Sequence, residues 1–427
     1  MEPNLVKIEP KSKLKSRKFL FFAVTLLIVI IGLIAFIIIF PKRKEITQSL
    51  NQPVISNLNL VEGERIDNQG CTGSGTVNFG TSPMDIKDIG IILPYGGMVG
   101  AHVTPIDHMY FAPVIFNSPR DTYEVRAMAD GIITSISERT QNVGDGNNGT
   151  AKLAEYQMKF WYTCDFASYY DLITSLSPRL KEEFERYNNG SSTANVNIKV
   201  KEGELVGKIG GQTLDFAVYD YTKILPGFIV PEHYLAESWK LHVVNPFIYF
   251  EEPIRSQLLE LNPRQSEPRE GKIDYDIDGK LVGTWFKEGN NGFGSTGGEN
   301  ASPWRGHLSF VYDSIDPSAL IISIGDYDGE SKQFAVINNT PDPATIEIKD
   351  GLIKYELAFI DHYRSGTGEQ WDRTRAYPDI KTRANSFTQG VVLVQLTEAR
   401  KLKFQVFPGK NSSEVNDFDE NVIMYER

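Results

Sequence analysis

His102, Asp107 and His108 share one short stretch, His102-Val-Thr-Pro-Ile-Asp-His-Met-Tyr-Phe111, which follows a glycine-rich turn at Gly96-Gly97-Met-Val-Gly100. Imidazole and carboxylate groups this close together suit two kinds of chemistry. An imidazole moves protons near neutral pH, and both groups coordinate a borderline metal such as zinc. A second stretch, Thr213-Leu-Asp-Phe-Ala-Val-Tyr-Asp220, alternates polar and apolar side chains with the period of two of a half-buried strand. With Leu214, Phe216 and Val218 turned to a core, Thr213, Asp215 and Ala217 face the other way. The same parity sends Met109 and Phe111 inward and His108 and Tyr110 outward, while Pro105 interrupts any strand reaching back to His102. Side by side, the two strands would bring His108 against Asp215 as a candidate metal pair.

Each of these residues also has a plainer role. His102 divides between a turn residue and a proton carrier, and His108 between a metal ligand and a histidine hydrogen-bonded to Asp215. Asp107 is a third candidate ligand, but alternation turns it away from His108, which favours a turn or strand-edge carboxylate. Asp215 lies between Leu214 and Phe216 on a core strand. A buried carboxylate without a partner is costly, so a site role is favoured there.

The chain has 427 residues, too many for one ordinary domain, and its composition is that of a globular protein able to bury real cores. With 55 acidic against 44 basic residues and no basic cluster beyond the N-terminus, nucleic acid is excluded as a partner. Phe19 to Phe40 contains no charged side chain. As a helix it spans about 33 Å, the thickness of a bilayer core. Lys7, Lys11, Lys13, Lys15, Arg17 and Lys18 precede it, and only Lys42, Arg43 and Lys44 follow closely. That bias expects residues 1–18 in the cytoplasm, a membrane helix over 19–40 and everything beyond outside the cell. A cleaved signal peptide fits less well, because the apolar run is long and no small-residue cleavage pattern follows. In an oxidising compartment Cys71 and Cys164 form either one disulfide or two buried thiols.

Residues 41–82 read as a polar tether, 83–252 as a first folded unit, 253–270 as a polar linker with prolines, and 271–427 as a second unit. The first unit opens with short strands. Tyr123 to Arg126 and Ile132 to Ile136 flank an Asp-Gly turn, a hairpin signal, and Val200 to Gly211 repeats the pattern. Between them Leu172, Leu176, Leu180 and Phe184 have helical spacing, which predicts a surface helix over 169–187 interrupted at Pro178. Asp171 then sits at an exposed helix start, as a cap or solvated charge.

The order of these features resembles the M23 metallopeptidases, the lysostaphin and LytM-like peptidoglycan endopeptidases. It runs from a Gly-rich turn and a His/Asp strand through V-x-A-x-x-D-G-x-I and V-x-x-G-x-x-V-G-x-I-G to a final polar-x-polar-Phe strand and Val243-Val-Asn-Pro246. Lipoyl and biotinyl carriers share the hairpin patterns, but they need a modifiable lysine at a hairpin tip, and none is evident. The resemblance implies a β barrel-sandwich hybrid, a zinc ion and an envelope substrate. Its zinc ligands are the His and Asp of H-x-x-x-D and the second His of H-x-H; the first His of H-x-H and the His of Y-A-H-L assist catalysis. Here His102 to Asp107 is one residue too long, and alignment on Phe111-Ala-Pro113 puts Thr104 and His108 at the first two ligand positions. Thr213-Leu-Asp215 stands for H-x-H, and Tyr169-Tyr-Asp-Leu172 puts Asp171 where the histidine belongs. The exchange of Asp for His at 108 and of His for Asp at 215 looks reciprocal and leaves room for a metal site of His108, Asp215 and Asp107. It does not restore the base: Thr213 cannot shuttle protons at neutral pH, leaving Asp171 or His102 for that role.

The second unit contains seven strand-like runs, from Leu281-Val-Gly-Thr-Trp-Phe286 to Leu402-Lys-Phe-Gln-Val-Phe407. They predict an antiparallel β barrel or sandwich, and Gly283-Thr-Trp285 resembles the G-x-W of lipocalin-type barrels. The whole chain is therefore expected to be mainly β and held in the plasma membrane by one helix. Its degenerate peptidase-like domain is expected to bind an envelope polymer or an envelope protein, as a pseudoenzyme. The rival expectation is an active metal-dependent hydrolase of envelope peptide or glycan.

Overall fold

Alternating apolar residues give strands one buried face, and in this chain those strands build two sheets and a barrel. The structure, a computed structural model, describes residues 70–144, 150–294 and 302–427. The expected span at 19–40 lies outside the described residues, and among these no helix is long and apolar enough to cross a membrane. All described residues fall within one unit of close contacts.

The larger sheet has the order β1-β2-β10-β6-β5-β4-β8. Its strands are β1 (Ile89–Leu93), β2 (Met109–Pro113), β4 (Gly131–Gly144), β5 (Thr150–Trp161), β6 (Phe166–Ile173), β8 (Thr193–Val200) and β10 (Leu214–Asp220). The smaller sheet has the order β3-β9-β7, from β3 (Tyr123–Arg126), β7 (Ser175–Leu176) and β9 (Leu205–Ile209). Met109, Phe111, Met158, Phe160, Tyr170, Leu214 and Phe216 are fully buried on the inner face of the larger sheet. The Tyr170 hydroxyl donates to the Arg126 carbonyl of β3, so that face looks onto the smaller sheet.

Three local expectations change. Tyr123–Arg126 and Gly131–Gly144 are strands around the Asp-Gly turn, but they are not a paired hairpin, since β3 pairs with β9 and β4 with β5 and β8. Val200 and Leu205 likewise end and begin strands of different sheets, so each turn carries the chain from one sheet to the other. The predicted helix over 169–187 is a helix only in α1 (Pro178–Tyr187), where Pro178 opens it, as the fixed φ of proline suits a first turn. Residues 169–173 are strand instead, because Tyr169, Tyr170 and Ile173 bury better on a sheet interior than on one helical stripe. Cys71 and Cys164 form a disulfide, which ties the start of the described chain to the turn between β5 and β6.

The stretch read as a linker, 253–270, is folded. It forms α2 (Ile254–Glu260), and the backbones of Leu261 and Glu270 accept hydrogen bonds from Ile92 and Tyr95. Arg264 is buried there, its guanidinium held by the carbonyls of Ser266, Pro268 and Ser314. Beyond it lies a closed barrel of eight strands, β11 (Gly283–Lys287), β12 (His307–Tyr312), β13 (Leu320–Tyr327), β14 (Glu330–Val336), β15 (Ile353–Arg364), β16 (Ile380–Glu398), β17 (Lys401–Pro408) and β18 (Ile423–Glu426). Apolar side chains fill its interior, with Trp285, Leu308, Phe310, Ile322, Phe334, Leu357 and Val392 completely enclosed. The Arg427 guanidinium lies 4.0 Å from the Trp285 ring centre and donates to the carbonyls of Val282 and Ile277.

Candidate functional site

The outer face of the larger sheet is not bare. A cavity of about 520 Å³ lies over it, lined by alternate residues of its central strands: Arg139 of β4, Gln157, Lys159 and Trp161 of β5, Ala167, Tyr169 and Asp171 of β6, and Tyr219 of β10. The residues between them, Met158, Phe160, Tyr170 and Val218, fill the core on the other face. The segment 101–108 closes one side of the cavity. The 3-10 helical segment Pro231–His242, through Glu237, Trp239 and Lys240, forms another wall together with Phe293, Trp304 and His307 from the barrel end.

His108 lies at the centre of a polar cluster. Its Nε2 is 3.4 Å from Asp215 Oδ2 and 3.2 Å from the Tyr110 hydroxyl, while its Nδ1 is 3.3 Å from Asp107 Oδ1. β10 runs antiparallel to β2 with Asp215 opposite Tyr110, and this register carries the His108 and Asp215 side chains to the same face. Asp107 does not turn away from His108 as strand alternation predicted. β2 begins only at Met109, so the period of two does not apply to the preceding loop. Lys240 donates to Asp107 Oδ1 at 3.0 Å and pairs with Glu237 at 2.9 Å, and the Trp239 indole N–H donates to Asp107 Oδ2 at 2.9 Å.

Burial alone would push the Asp107 carboxyl up, but Lys240 and His108 outweigh it and hold this group far below the usual carboxylate range. Burial would likewise lower Lys240, and Asp107 with Glu237 more than offset that, so its ammonium is held above the usual value. Asp215 is pushed up to about 6 by burial, with His108 opposing and neighbouring Asp171 adding to the rise. The Thr213 hydroxyl donates to Asp215 Oδ1 at 3.0 Å, the part of a positioning group rather than a base. His102 sits in the loop with its ring centre 6.0 Å from that of His108, and burial first, then His108 and Lys240, lower its pKa.

Asp171 is the largest displacement from expectation. It is a buried residue of β6, opposite Asp215, and Arg139 and Gln157 bond its two oxygens. The expected helix start does not exist, and with it goes the solvated-charge reading.

The donor set does not fit zinc. A zinc site needs three or more protein ligands converging on one point. Here the ring nitrogens of one imidazole hydrogen-bond Asp107 on one side and the Tyr110 hydroxyl on the other, Asp215 stands 3.4 Å from the second nitrogen, and the Lys240 ammonium occupies the approach to Asp107. Among the described residues no group of three or more His, Cys, Asp or Glu is arranged to hold a metal ion.

Sequence reasoning missed Lys240, Trp239, Glu237, Trp161 and His307. Trp161 was legible in principle, since Gln157-Met-Lys-Phe-Trp161 alternates polar or amphipathic with apolar residues. Trp239-Lys240 gave no periodic signal, because its segment is an irregular helical turn with a kink at Glu237.

No protein-family model matches the chain, and no curated protein does. Among solved structures, the chain is similar to Helicobacter pylori Csd3 from an orthorhombic crystal. The identity is 14%, over 41% of this chain and 35% of that one, with a TM-score of 0.22, a likeness too slight to carry any inference.

Proposed function

We propose that this chain is a membrane-anchored extracytoplasmic protein of the cell envelope, whose sheet domain is M23-like in its motif order and holds a ligand in the cavity without hydrolysing it. The observation that carries this reading is the wiring of His108. Its Nδ1 hydrogen-bonds Asp107, which already holds an ammonium, and its Nε2 hydrogen-bonds the Tyr110 hydroxyl with the Asp215 carboxylate 3.4 Å away. A hydrolytic zinc needs an open coordination position and a water beside a proton carrier. The expected ligands are spent on one another instead. Support for the compartment comes from the uncharged run at 19–40 with its flanking lysines, and from the disulfide, which belongs to an oxidising environment. The rival hydrolase reading would need Asp107, His108 and Asp215 to abandon these partners together.

The test is metal analysis of the full-length chain, purified in detergent, exposed to excess zinc and desalted. The expected result is no stoichiometric zinc. One zinc per chain, lost in both His108→Ala and Asp215→Ala while folding is retained, would return the site to the hydrolases.

A further inference from the structure

We infer that the cavity over the larger sheet is a saccharide site, taking one or two neutral pyranose rings of a glycan; this rests on the reading of the cavity as a binding site and names its ligand. Three properties of the walls point to that class. The first is aromatic surface on both sides, with Tyr169 on the sheet, backed by the buried rings of Trp161 and Tyr219, and Trp239 and Trp304 on the opposing segments. The rings on the sheet are already ordered, with Tyr169 and Tyr219 stacked at 6.1 Å and 23°. The C–H face of a pyranose is apolar and flat enough to lie on such a ring, while its hydroxyls point outward around the rim.

The second property is electrical balance. In the lining the carboxylates Asp107, Asp171 and Glu237 meet the cations Arg139, Lys159 and Lys240, and a fourth carboxylate, Asp215 just behind them, lies 3.4 Å from the imidazole of His108. Lys240 holds Asp107 and Glu237, and Arg139 holds Asp171. Burial pushes His307 down to about 4, so that imidazole is neutral at pH 7, and burial also lowers His102. A cationic or anionic ligand would be desolvated here against charges that are already matched. A neutral ligand with many hydroxyls loses nothing by this. Ion-paired carboxylates keep lone pairs free to accept from hydroxyls, and the paired cations keep N–H groups to donate.

The third is topology. A bound peptide commonly adds itself to a sheet edge, where backbone groups are unpaired. The cavity floor is made by β6 and β5, both interior strands with a neighbour on each side. It offers side chains rather than backbone, which suits a sugar ring and not an extended peptide. A volume of about 520 Å³ is that of a small-molecule site, sufficient for a short stretch of glycan.

The test is calorimetric titration of the full-length chain in detergent with cellotriose, with triacetylchitotriose and, separately, with tetraalanine. Saturable binding of at least one oligosaccharide is expected, weakened about tenfold or more by Trp304→Ala and by Tyr169→Leu. Near-UV circular dichroism checks that each variant is folded, and the two variants come from opposite walls, so loss of one to misfolding leaves the other. Preference between the two sugars separates acetamido glycans from plain ones. If tetraalanine binds and the oligosaccharides do not, the ligand class is wrong while a binding cavity remains. If the folded protein binds none of the three, both readings fall, and if an oligosaccharide binds equally well to both folded variants, the site lies elsewhere.

Discussion

Lys240 keeps its charge at 6% exposure because it lies between two carboxylates, 3.0 Å from Asp107 and 2.9 Å from Glu237. Removing one partner of a buried pair costs more than the pair itself contributes, since the remaining charge is left without a countercharge. Lys240→Met should therefore destabilise the protein by about 3 to 5 kcal/mol in urea unfolding at pH 7. Adding Asp107→Asn should recover much of that loss, because the orphaned carboxylate disappears. The dependence on pH follows from the low position of Asp107. A group whose folded pKa is depressed stabilises above its unfolded pKa, and that stability is lost as pH falls through the carboxylate range toward the folded value. The stability advantage of wild type over the double variant should thus shrink below about pH 4. A single variant within about 1 kcal/mol of wild type would show that Lys240 is not the countercharge for Asp107.

The strands β2 and β10 explain how much of the site was legible. Alternation in Thr213 to Asp220 and in His108 to Phe111 is strong, and the side-chain directions read from it are those observed, with Met109, Phe111, Leu214 and Phe216 at 0% exposure. Alternation says nothing about a second layer. All seven residues of β10 are buried because the segment 231–242 and the barrel end cover the outer face, and those contacts are distant in sequence. Asp171 went astray for a related reason: Leu172, Leu176, Leu180 and Phe184 fit a helical stripe, yet the first of these lies on a strand at positive φ. In the barrel seven strands were readable, and β18 escaped because it is short and follows a polar stretch. Burial of Asp215 between these layers gives a prediction. Its folded pKa of about 6 is above the ordinary carboxylate value, so its stabilising contribution is complete below that ordinary value and is lost as pH rises through about 6. Asp215→Asn never ionises. It should gain stability relative to wild type on going from pH 4.5 to pH 8, by on the order of 2 kcal/mol in paired urea titrations. A flat difference across that range would place Asp215 in a more solvated setting than its 8% exposure implies.

At the scale of the whole molecule, the cavity exists only because the barrel end meets the segment Pro231–His242. The joint is close at Gly292, whose φ of +66° is a left-handed conformation and whose missing Cβ would lie 2.4 Å from the His233 carbonyl oxygen. Next to it, Phe293 forms part of the cavity wall, with the Lys240 ammonium 5.0 Å from its ring centre, and His307 donates from Nε2 to the Phe293 carbonyl at 3.1 Å. A methyl group at 292 must push the two backbones apart, since the atom it meets is main chain and cannot rotate away. Gly292→Ala should cost roughly 1 to 3 kcal/mol from steric overlap and left-handed strain combined. The loss should be local. Amide hydrogen exchange should quicken across 231–242 and 292–294, while β12 and β13, whose ladder runs from Leu308↔Ile324 to Tyr312↔Leu320 inside the closed barrel, keep their protection. Any ligand held between Phe293 and the sheet should bind more weakly by the same displacement. Uniform loss of protection through the barrel as well would mean that the joint and the barrel open as one cooperative unit, and unchanged exchange at 231–242 would mean that the two segments do not meet at Gly292.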